Sequence, residues 1–544
     1  MEKRLVIFLV LSILVIFLYP YFIERIVGPV QQPPNQKRAV EEQKREGVDR
    51  PQTEAKTSGE PGGEKTGAEA VRREKVIETD LYRLVLSNAG GTIKKWELKK
   101  FTKRNSQGEE RPIELVREET PTAPLSLLGE GPLAGTENLY ILDETPLRLN
   151  HDAHEGEVTL AYTSSKGGRV LKKLRFSNED YTVGLEVTIE GDTTPYRLSL
   201  GTNFGIEDWS QQFIGTIGAI SLVDHEIHKD DPKKENDTVV HPGKISWFAL
   251  QDKYFISALI PRDGEKVGPV TVRKEGTRLI SAEIELGPPQ QERVSNAFSL
   301  YAGPKEYDRL SSFHLQLEES IDFGWFIAGS WAPVRIVAKP LFYVLQFLYR
   351  FSHNYGVAII LVTVLVKGLF FPITRKSLLS MKGMADVQPK VAALRKKWAN
   401  DKARMNQELM NLYKEHKINP VGGCLPMIVQ IPVFIALFNI LYTTIELRRA
   451  PFLLWIQDLS DKDPYYVLPV IMGATMFIQQ WTQPTTMDPT QAKVMLFLPV
   501  IYTFFFLNFP SGLVLYWLVN NLLSIGQQYL MKMESRPAAR EGTA

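Results

Sequence analysis

The residues that invite a chemical role lie inside apolar stretches. Lys367 sits in Thr363-Val364-Leu365-Val366-Lys367-Gly368-Leu369-Phe370-Phe371-Pro372. An ammonium in hydrocarbon is expensive unless it meets water or a partner, so such a lysine defaults to a functional hypothesis. The competing role is a lysine that snorkels to nearby headgroups. At ~1.5 Å per residue it lies about 4–5 Å past the midpoint of its span, toward the cytoplasm. Thr363 is one turn away on the same face. Asn520, Ser524, Gln527 and Gln528 stand at i, i+4, i+7 and i+8 of the last apolar run and form one stripe. Gln430 and Thr475 add polar groups on two other runs. No Asp or Glu interrupts these runs, so a water-filled groove is the cheaper way to keep Lys367 charged. The chemistry on offer is electrostatic: a cation that draws acidic groups into the membrane.

The elements that must position these residues are apolar helices. Five apolar runs follow residue 354, roughly Tyr355–Ile373, Val421–Thr443, Tyr465–Trp481, Val494–Phe509 and Leu513–Met531. About 20 apolar residues span a bilayer core, and local thinning accommodates the two shorter runs. A sixth span, Leu5–Ile23, is uncharged over 19 residues and preceded by Lys3 and Arg4. The bulky Tyr19-Pro20-Tyr21-Phe22-Ile23-Glu24 end offers no small-residue cleavage site, which favours an uncleaved anchor over a signal peptide. Six spans with a basic start place both termini in the cytoplasm.

Charge distribution agrees with that topology. The 544 residues carry a formal net charge of only +2, which rules out a chain that is basic overall. Yet residues 374–420 hold eleven Lys and Arg against four Asp and Glu, a net +7 on the predicted inner side. Met384, Val387, Val391, Leu394 and Trp398 are spaced as a coiled-coil seam, Asn400-Asp401 marks a turn, and Met405, Leu409 and Leu412 give a returning stripe. This basic helical hairpin suits anionic lipid headgroups, ribosomal RNA phosphates, or a solvated face that only sets topology.

Between anchor and membrane core the character is different. Residues 28–75 are rich in Pro, Gln, Glu, Lys and Gly and read as a flexible linker. From 76 to 320 short strands recur with Gly and Asn turns. Examples are Tyr82–Leu86, Thr92–Leu98, Val158–Thr163, Val170–Phe176, Thr182–Ile189, Tyr196–Thr202, Tyr254–Ile260, Leu279–Leu286 and Arg293–Tyr301. They predict a β-sandwich outside the cytoplasm, in a periplasm. His151/His154 and His225/His228 have zinc-compatible spacing, but loop histidines in polar surroundings are the simpler reading, so no metal site is assigned. One cysteine, Cys424, excludes a disulfide within the chain and Cys-cluster metal sites. No phosphate loop or nucleophile elbow appears, so no catalytic residue, nucleotide or other cofactor is expected, although a glycan-binding or epimerase-like role for the sandwich stays open. Residues 321–353 are apolar with tryptophans and spaced cations, and read as an interfacial helix region divided by Pro333 and Pro340.

Several motifs carry a resemblance. Asn419-Pro420-Val421-Gly422-Gly423-Cys424-Leu425-Pro426 with Gln430-Ile431-Pro432-Val433-Phe434 resembles the third span of the YidC membrane protein insertases. So does Phe509-Pro510-Ser511-Gly512-Leu513-Val514-Leu515-Tyr516-Trp517, with Asn520-Asn521 and Gln527-Gln528, at the last span. Ser246-Trp247-Phe248-Ala249-Leu250-Gln251 and Tyr301-Ala302-Gly303-Pro304-Lys305 resemble the periplasmic domain of Gram-negative members. The resemblance implies a multi-domain membrane protein: an all-α polytopic core of five transmembrane helices plus an N-terminal anchor helix, with a periplasmic β-sandwich domain. The expected division is 1–27 anchor, 28–75 linker, 76–320 sandwich, 321–353 interfacial region, 354–373 second span, 374–420 hairpin, 421–531 spans three to six, and 532–544 a short cytoplasmic tail. It further implies an insertase of the bacterial inner membrane that handles nascent membrane proteins, alone or with the Sec translocon and its accessory subunits. Its groove would open to cytoplasm and lipid, with Lys367 in the place of the family's single groove cation, where arginine is frequent. The family's substrate-contacting stretches map onto Gln430, Ile431, Pro432 and Phe434, and onto Phe504, Phe505 and Phe506. With so short a tail, ribosome contact would rest on the hairpin and Lys493.

Overall fold

The structure, a computed structural model, describes residues 72–534 except 105–108, 117–119, 210–215, 231–237, 263–266, 275–277, 288–292, 324, 327–328, 399, 417, 419–424 and 483–488. The anchor, nearly all of the linker, Cys424 and the tail beyond 534 fall outside the described residues.

Period-two patterning builds the first half. In Arg169–Ser177 burial alternates at every position, so Val170, Lys172, Leu174 and Phe176 face inward. That strand lies in an eight-stranded antiparallel sheet that runs Glu226–Asp230, Gly218–Val223, Ile245–Gln251, Phe255–Pro261, Arg293–Pro304, Thr182–Glu190, Arg169–Ser177, Glu155–Thr163. Two five-stranded sheets complete the sandwich. Its core is aromatic: Tyr82 and Trp96 pack at 5.0 Å, and Trp96 and Phe204 at 5.7 Å. The expected strands are present. The first one, Glu74–Glu78, starts inside the stretch read as linker. Lys75 hides it there: its side chain is buried and bonds Thr145 O at 2.6 Å and Asp143 at 3.1 Å. Gly218–Val223 is buried at every position, so it shows no alternation to read.

The second half is helical. After a short helix α1 (Tyr307–Ser311), α2 covers Ala332–Ser352 and α3 covers Tyr355–Asp386. Helices α4 (Gln388–Lys397) and α5 (Lys402–Glu415) form the hairpin. Then come α6 (Leu425–Thr443), α7 (Val467–Thr482), α8 (Pro489–Phe506) and α9 (Ser511–Glu534). Among the described residues, α3 is the helix long and apolar enough to cross a membrane by length and composition alone.

Helix α2 corrects one expectation: the two prolines do not divide it. Pro333 occupies the first turn, where no N–H is missed, and the helix runs on through Pro340. Pro340 and Ile336, whose carbonyl it cannot serve, both lie on the exposed face, so the lost bond is open to other partners. Val334, Ala338, Leu341, Phe342 and Leu345 are buried, while Ile336, Tyr343, Phe347 and Phe351 are exposed. A left-handed His353 ends α2, and Asn354 caps α3 by accepting from Val357 N at 3.1 Å. The hairpin seam is also narrower than expected. Val387, Val391 and Leu412 form its buried centre, with Leu394 and Leu409 against them. Met384 belongs to α3, and Trp398 instead lies under the Arg404 guanidinium at 4.3 Å.

Sandwich and helices meet at defined contacts. Asn439 Nδ2 on α6 donates to Phe323 O at 2.8 Å. The Lys253 ammonium stands 3.7 Å over the Tyr442 ring. From the loop after α6, Arg448 donates to Thr102 O at 3.1 Å and Arg449 pairs with Glu110 at 3.3 Å.

Lys172 is the sandwich's unusual core residue. Its fully buried ammonium donates to Gly90 O (2.7 Å), Gly91 O (3.1 Å) and Leu125 O (2.7 Å), and lies 4.9 Å from the centre of the Tyr140 ring. The left-handed Gly90-Gly91 turn makes this possible, since a Cβ at Gly91 would crowd Tyr140 at 3.1 Å. Lys172→Met keeps most of the volume but leaves three carbonyls without a donor. It should cost about 2–4 kcal/mol, read as a lower unfolding temperature of the sandwich. Burial lowers the lysine's pKa from 10.5 to about 7. The folded state therefore sheds this proton before the unfolded state does, and stability should rise as pH climbs from about 7 toward 10.5. Lys172→Met should flatten that rise, as measured by thermal unfolding across the same pH range.

Candidate functional site

Apolar patterning makes α9 a helix, and its polar stripe makes it the centre of the site. Ser511 begins it, held by Asp461 O through both its backbone N (2.7 Å) and its hydroxyl (2.8 Å). The stripe then faces α3, α6 and α7 in turn.

Lys367 on α3 is half-buried and donates to Ser524 Oγ on α9 at 2.8 Å. The Ser524 hydroxyl passes its own proton back to Asn520 O at 2.7 Å, so it is oriented to accept from the lysine. One turn further along α3, Pro372 has no N–H for the Gly368 carbonyl, which adds an acceptor without its ordinary helical donor beside Lys367. Gly368 has open space where a Cβ would stand. Two buried oxygens on α9, Asn520 Oδ1 and Gln527 Oε1, have no hydrogen-bond partner within the described residues. Buried acceptors without donors are the sites that water or a polar guest fills.

The other expected polar residues divide. Gln430 on α6 donates to Tyr516 Oη on α9 at 3.1 Å, and Thr482 on α7 donates to Gln528 Oε1 at 3.0 Å. Thr475 gives its proton to Met472 O at 2.7 Å and accepts from Asn521 Nδ2 at 3.4 Å, so it joins α7 to α9 through Asn521. Thr363 is buried and bonds Ile359 O of its own helix at 2.6 Å, so its hydroxyl is spent within α3. Tyr516 was missed from sequence. It reads as one more aromatic in an apolar run, although it stands four residues before Asn520 on the same face.

The apolar contact set also divides. Phe504 is 67% exposed, Phe505 45% and Ile431 42%. Phe506, unlike the two phenylalanines before it, is buried: it packs against Trp517 at 4.8 Å and Phe509 at 5.0 Å. Pro432 is half-buried, and Phe434 is turned inward against Trp517 at 4.8 Å. A helix carrying three consecutive phenylalanines cannot present all three on one side. Helices α7 and α8 approach closely at Gly473, where any Cβ would collide with the Thr503 hydroxyl.

The histidines lie apart from this seam. His151 and His154 pair edge to face at 5.4 Å, His225 occupies a left-handed turn, and His228 stacks on His241 at 4.7 Å. Among the described residues no group of three or more metal-ligating side chains is arranged to hold an ion.

Comparison with known proteins agrees over nearly the whole chain. Residues 74–344 match the family model described as YidC periplasmic domain, and residues 347–538 match the 60Kd inner membrane protein model. A membrane protein insertase YidC from Geotalea uraniireducens (strain Rf4) is 42% identical over 97% of this chain and 98% of its own length. One from Syntrophus aciditrophicus (strain SB) is 38% identical over 98% of this chain and 100% of its own. Among solved structures, an active YidC insertase crystal structure with the first transmembrane domain resolved covers 85% of this chain and 95% of that one, at 19% identity and a TM-score of 0.37. A β-sandwich followed by a helical core with a polar seam, matched in full length at this level of identity, makes the chain a member of the YidC family of membrane protein insertases.

Proposed function

We propose that the seam along α9 is the route by which a substrate's polar extracytoplasmic segment enters the membrane, and that the exposed apolar residues beside it are the exit to lipid. The observation that carries this is the Lys367–Ser524 bond beside two buried acceptors without donors. A short polar segment cannot cross hydrocarbon unaided. A wet, cationic recess lowers that barrier and favours acidic residues. The substrate's apolar helix meanwhile leaves past Ile431, Phe504 and Phe505 into lipid, where burial supplies about 25 cal/mol per Å² of apolar surface. In this scheme the core spans the inner membrane five times after an N-terminal anchor, with both termini in the cytoplasm and the sandwich in the periplasm. The net +7 hairpin receives substrates from ribosomes and meets anionic lipid, and the Sec translocon acts as partner for some substrates.

Lys367→Arg should preserve insertion. Lys367→Ala should slow substrates with acidic translocated segments by about fivefold per acidic residue. That factor is about 1 kcal/mol, the Coulomb energy at roughly 8 Å and an effective dielectric of about 40. Lys367→Glu should be worse than Ala, because attraction becomes repulsion. Insertion measured by protease protection over a series of segments with zero to three acids checks this, and an Ala variant at the normal rate throughout removes the electrostatic step.

Photocrosslinkers placed at Ile431 and Phe505 should label the apolar helix of a stalled nascent chain, whereas one at the buried Phe506 should not. Labelling of lipid alone from both exposed positions during normal insertion would mean the exit lies elsewhere.

Deleting 377–417 should abolish insertion, and deleting most of 76–300 should leave it largely intact. The reverse result in stably expressed variants would move the activity into the sandwich.

A further inference from the structure

A cleft lies between the edge strand Glu226–Asp230 and helix α2, away from the seam. It has two lobes, of about 190 and 590 Å³, which share Ile227, Glu319, Arg335 and Lys339 as walls. Most charges in it are already matched. Lys339 pairs with Glu319 at 2.6 Å, and Lys229 pairs with Asp322 at 2.8 Å. Two groups remain. Arg335 lines both lobes, and among the described residues its guanidinium has no ion-pair or hydrogen-bond partner. Glu318 lines the smaller lobe, and its Oε2 is buried without a hydrogen-bond donor. A cleft with one spare cation and one spare carboxylate, otherwise neutral, is complementary to a zwitterion.

The cleft's position says where that zwitterion comes from. Ile336, 71% exposed, borders the larger lobe and continues into the exposed apolar face of α2 at Tyr343, Phe347 and Phe351. Helix α2 turns through the His353-Asn354 corner directly into α3. An apolar amphipathic face joined to a membrane-crossing helix, beside a domain that the family places in the periplasm, lies at the outer surface of the inner membrane.

We propose that this cleft holds the headgroup of an outer-leaflet phospholipid bearing a primary amine, with its phosphate on Arg335, its ammonium on Glu318, and its acyl chains along Ile336 and the exposed face of α2. Arginine suits the phosphate because its planar fork offers two parallel donors. A primary ammonium brings three N–H donors to Glu318, whereas a trimethylated one brings none. An anionic headgroup without an amine leaves the buried Glu318 oxygen without a donor and adds like-charge repulsion.

The test uses the full chain, delipidated in detergent and titrated separately with phosphatidylethanolamine, phosphatidylcholine, phosphatidylglycerol and inorganic phosphate, with bound lipid counted by native mass spectrometry. Phosphatidylethanolamine should be retained about tenfold better than phosphatidylcholine, the worth of one charge-assisted contact. Glu318→Gln should erase that preference while overall phospholipid binding persists. Arg335→Ala, at an exposed helix position that does not threaten folding, should weaken all three lipids about tenfold, and Arg335→Lys should restore part of it. Equal retention of the ethanolamine and choline lipids by the parent chain overturns the proposal. So does stronger retention of phosphatidylglycerol, unaltered retention in Arg335→Ala, or displacement of lipid by millimolar phosphate, which would mark a free-anion site.

Discussion

A charged lysine partway along an apolar helix persists only where something polar meets it. Among the described residues that meeting is one hydroxyl, Ser524 Oγ, 2.8 Å from the ammonium. The hydroxyl must come from a neighbouring helix, at a matching depth, with its own proton directed elsewhere. Helix α9 meets all three conditions, because Ser524 donates to Asn520 O one turn back. The same stripe engages α6 through Tyr516 and Gln430, and α7 through Asn521 and Thr475. Helices α3, α6 and α7 are therefore registered on α9 by polar contacts, in surroundings where apolar packing alone discriminates poorly between lipid and protein.

Much of this was legible in the sequence. The α9 stripe follows from helical spacing, the sandwich strands from alternation, and the hairpin from its seam and turn. What was hidden has physical causes. Lys75 and Lys172 are lysines on inward faces, and a charge at such a position disguises a strand or reads as solvent-exposed. Gly218–Val223 is buried on both faces and so carries no period. Pro340 reads as a break, but the helix runs on through it with one backbone bond lost on an exposed face. Phe504, Phe505 and Phe506 are alike in type, and only the packing of Trp517 and Phe509 shows that the third is structural. Side-chain direction around a helix is fixed by neighbours, and one chain's sequence does not name them.

The sandwich is not attached through its chain ends alone. Lys253 over Tyr442 and Arg448 on Thr102 O tie two separate segments of it to α6 and the loop that follows, and Asn439 on Phe323 O adds a tie just beyond its end. Contacts of this kind, between a cation and an aromatic face or a carbonyl, tolerate small rotations better than an apolar seam would. They hold the domain's orientation at modest energetic cost.

The unbroken length of α3 has a mechanical meaning. Its 32 residues extend about 48 Å, against roughly 30 Å of hydrocarbon, so a good third of the helix stands clear of the membrane as a mast. The hairpin is stepped on the top of that mast, about 28 Å from Lys367 at ~1.5 Å per residue. A mast transmits angle as displacement: a lean of about 10° pivoting near Lys367 swings the hairpin's foot by about 5 Å. Whatever presses on the hairpin thus arrives at the Lys367–Ser524 contact reduced in travel and multiplied in force.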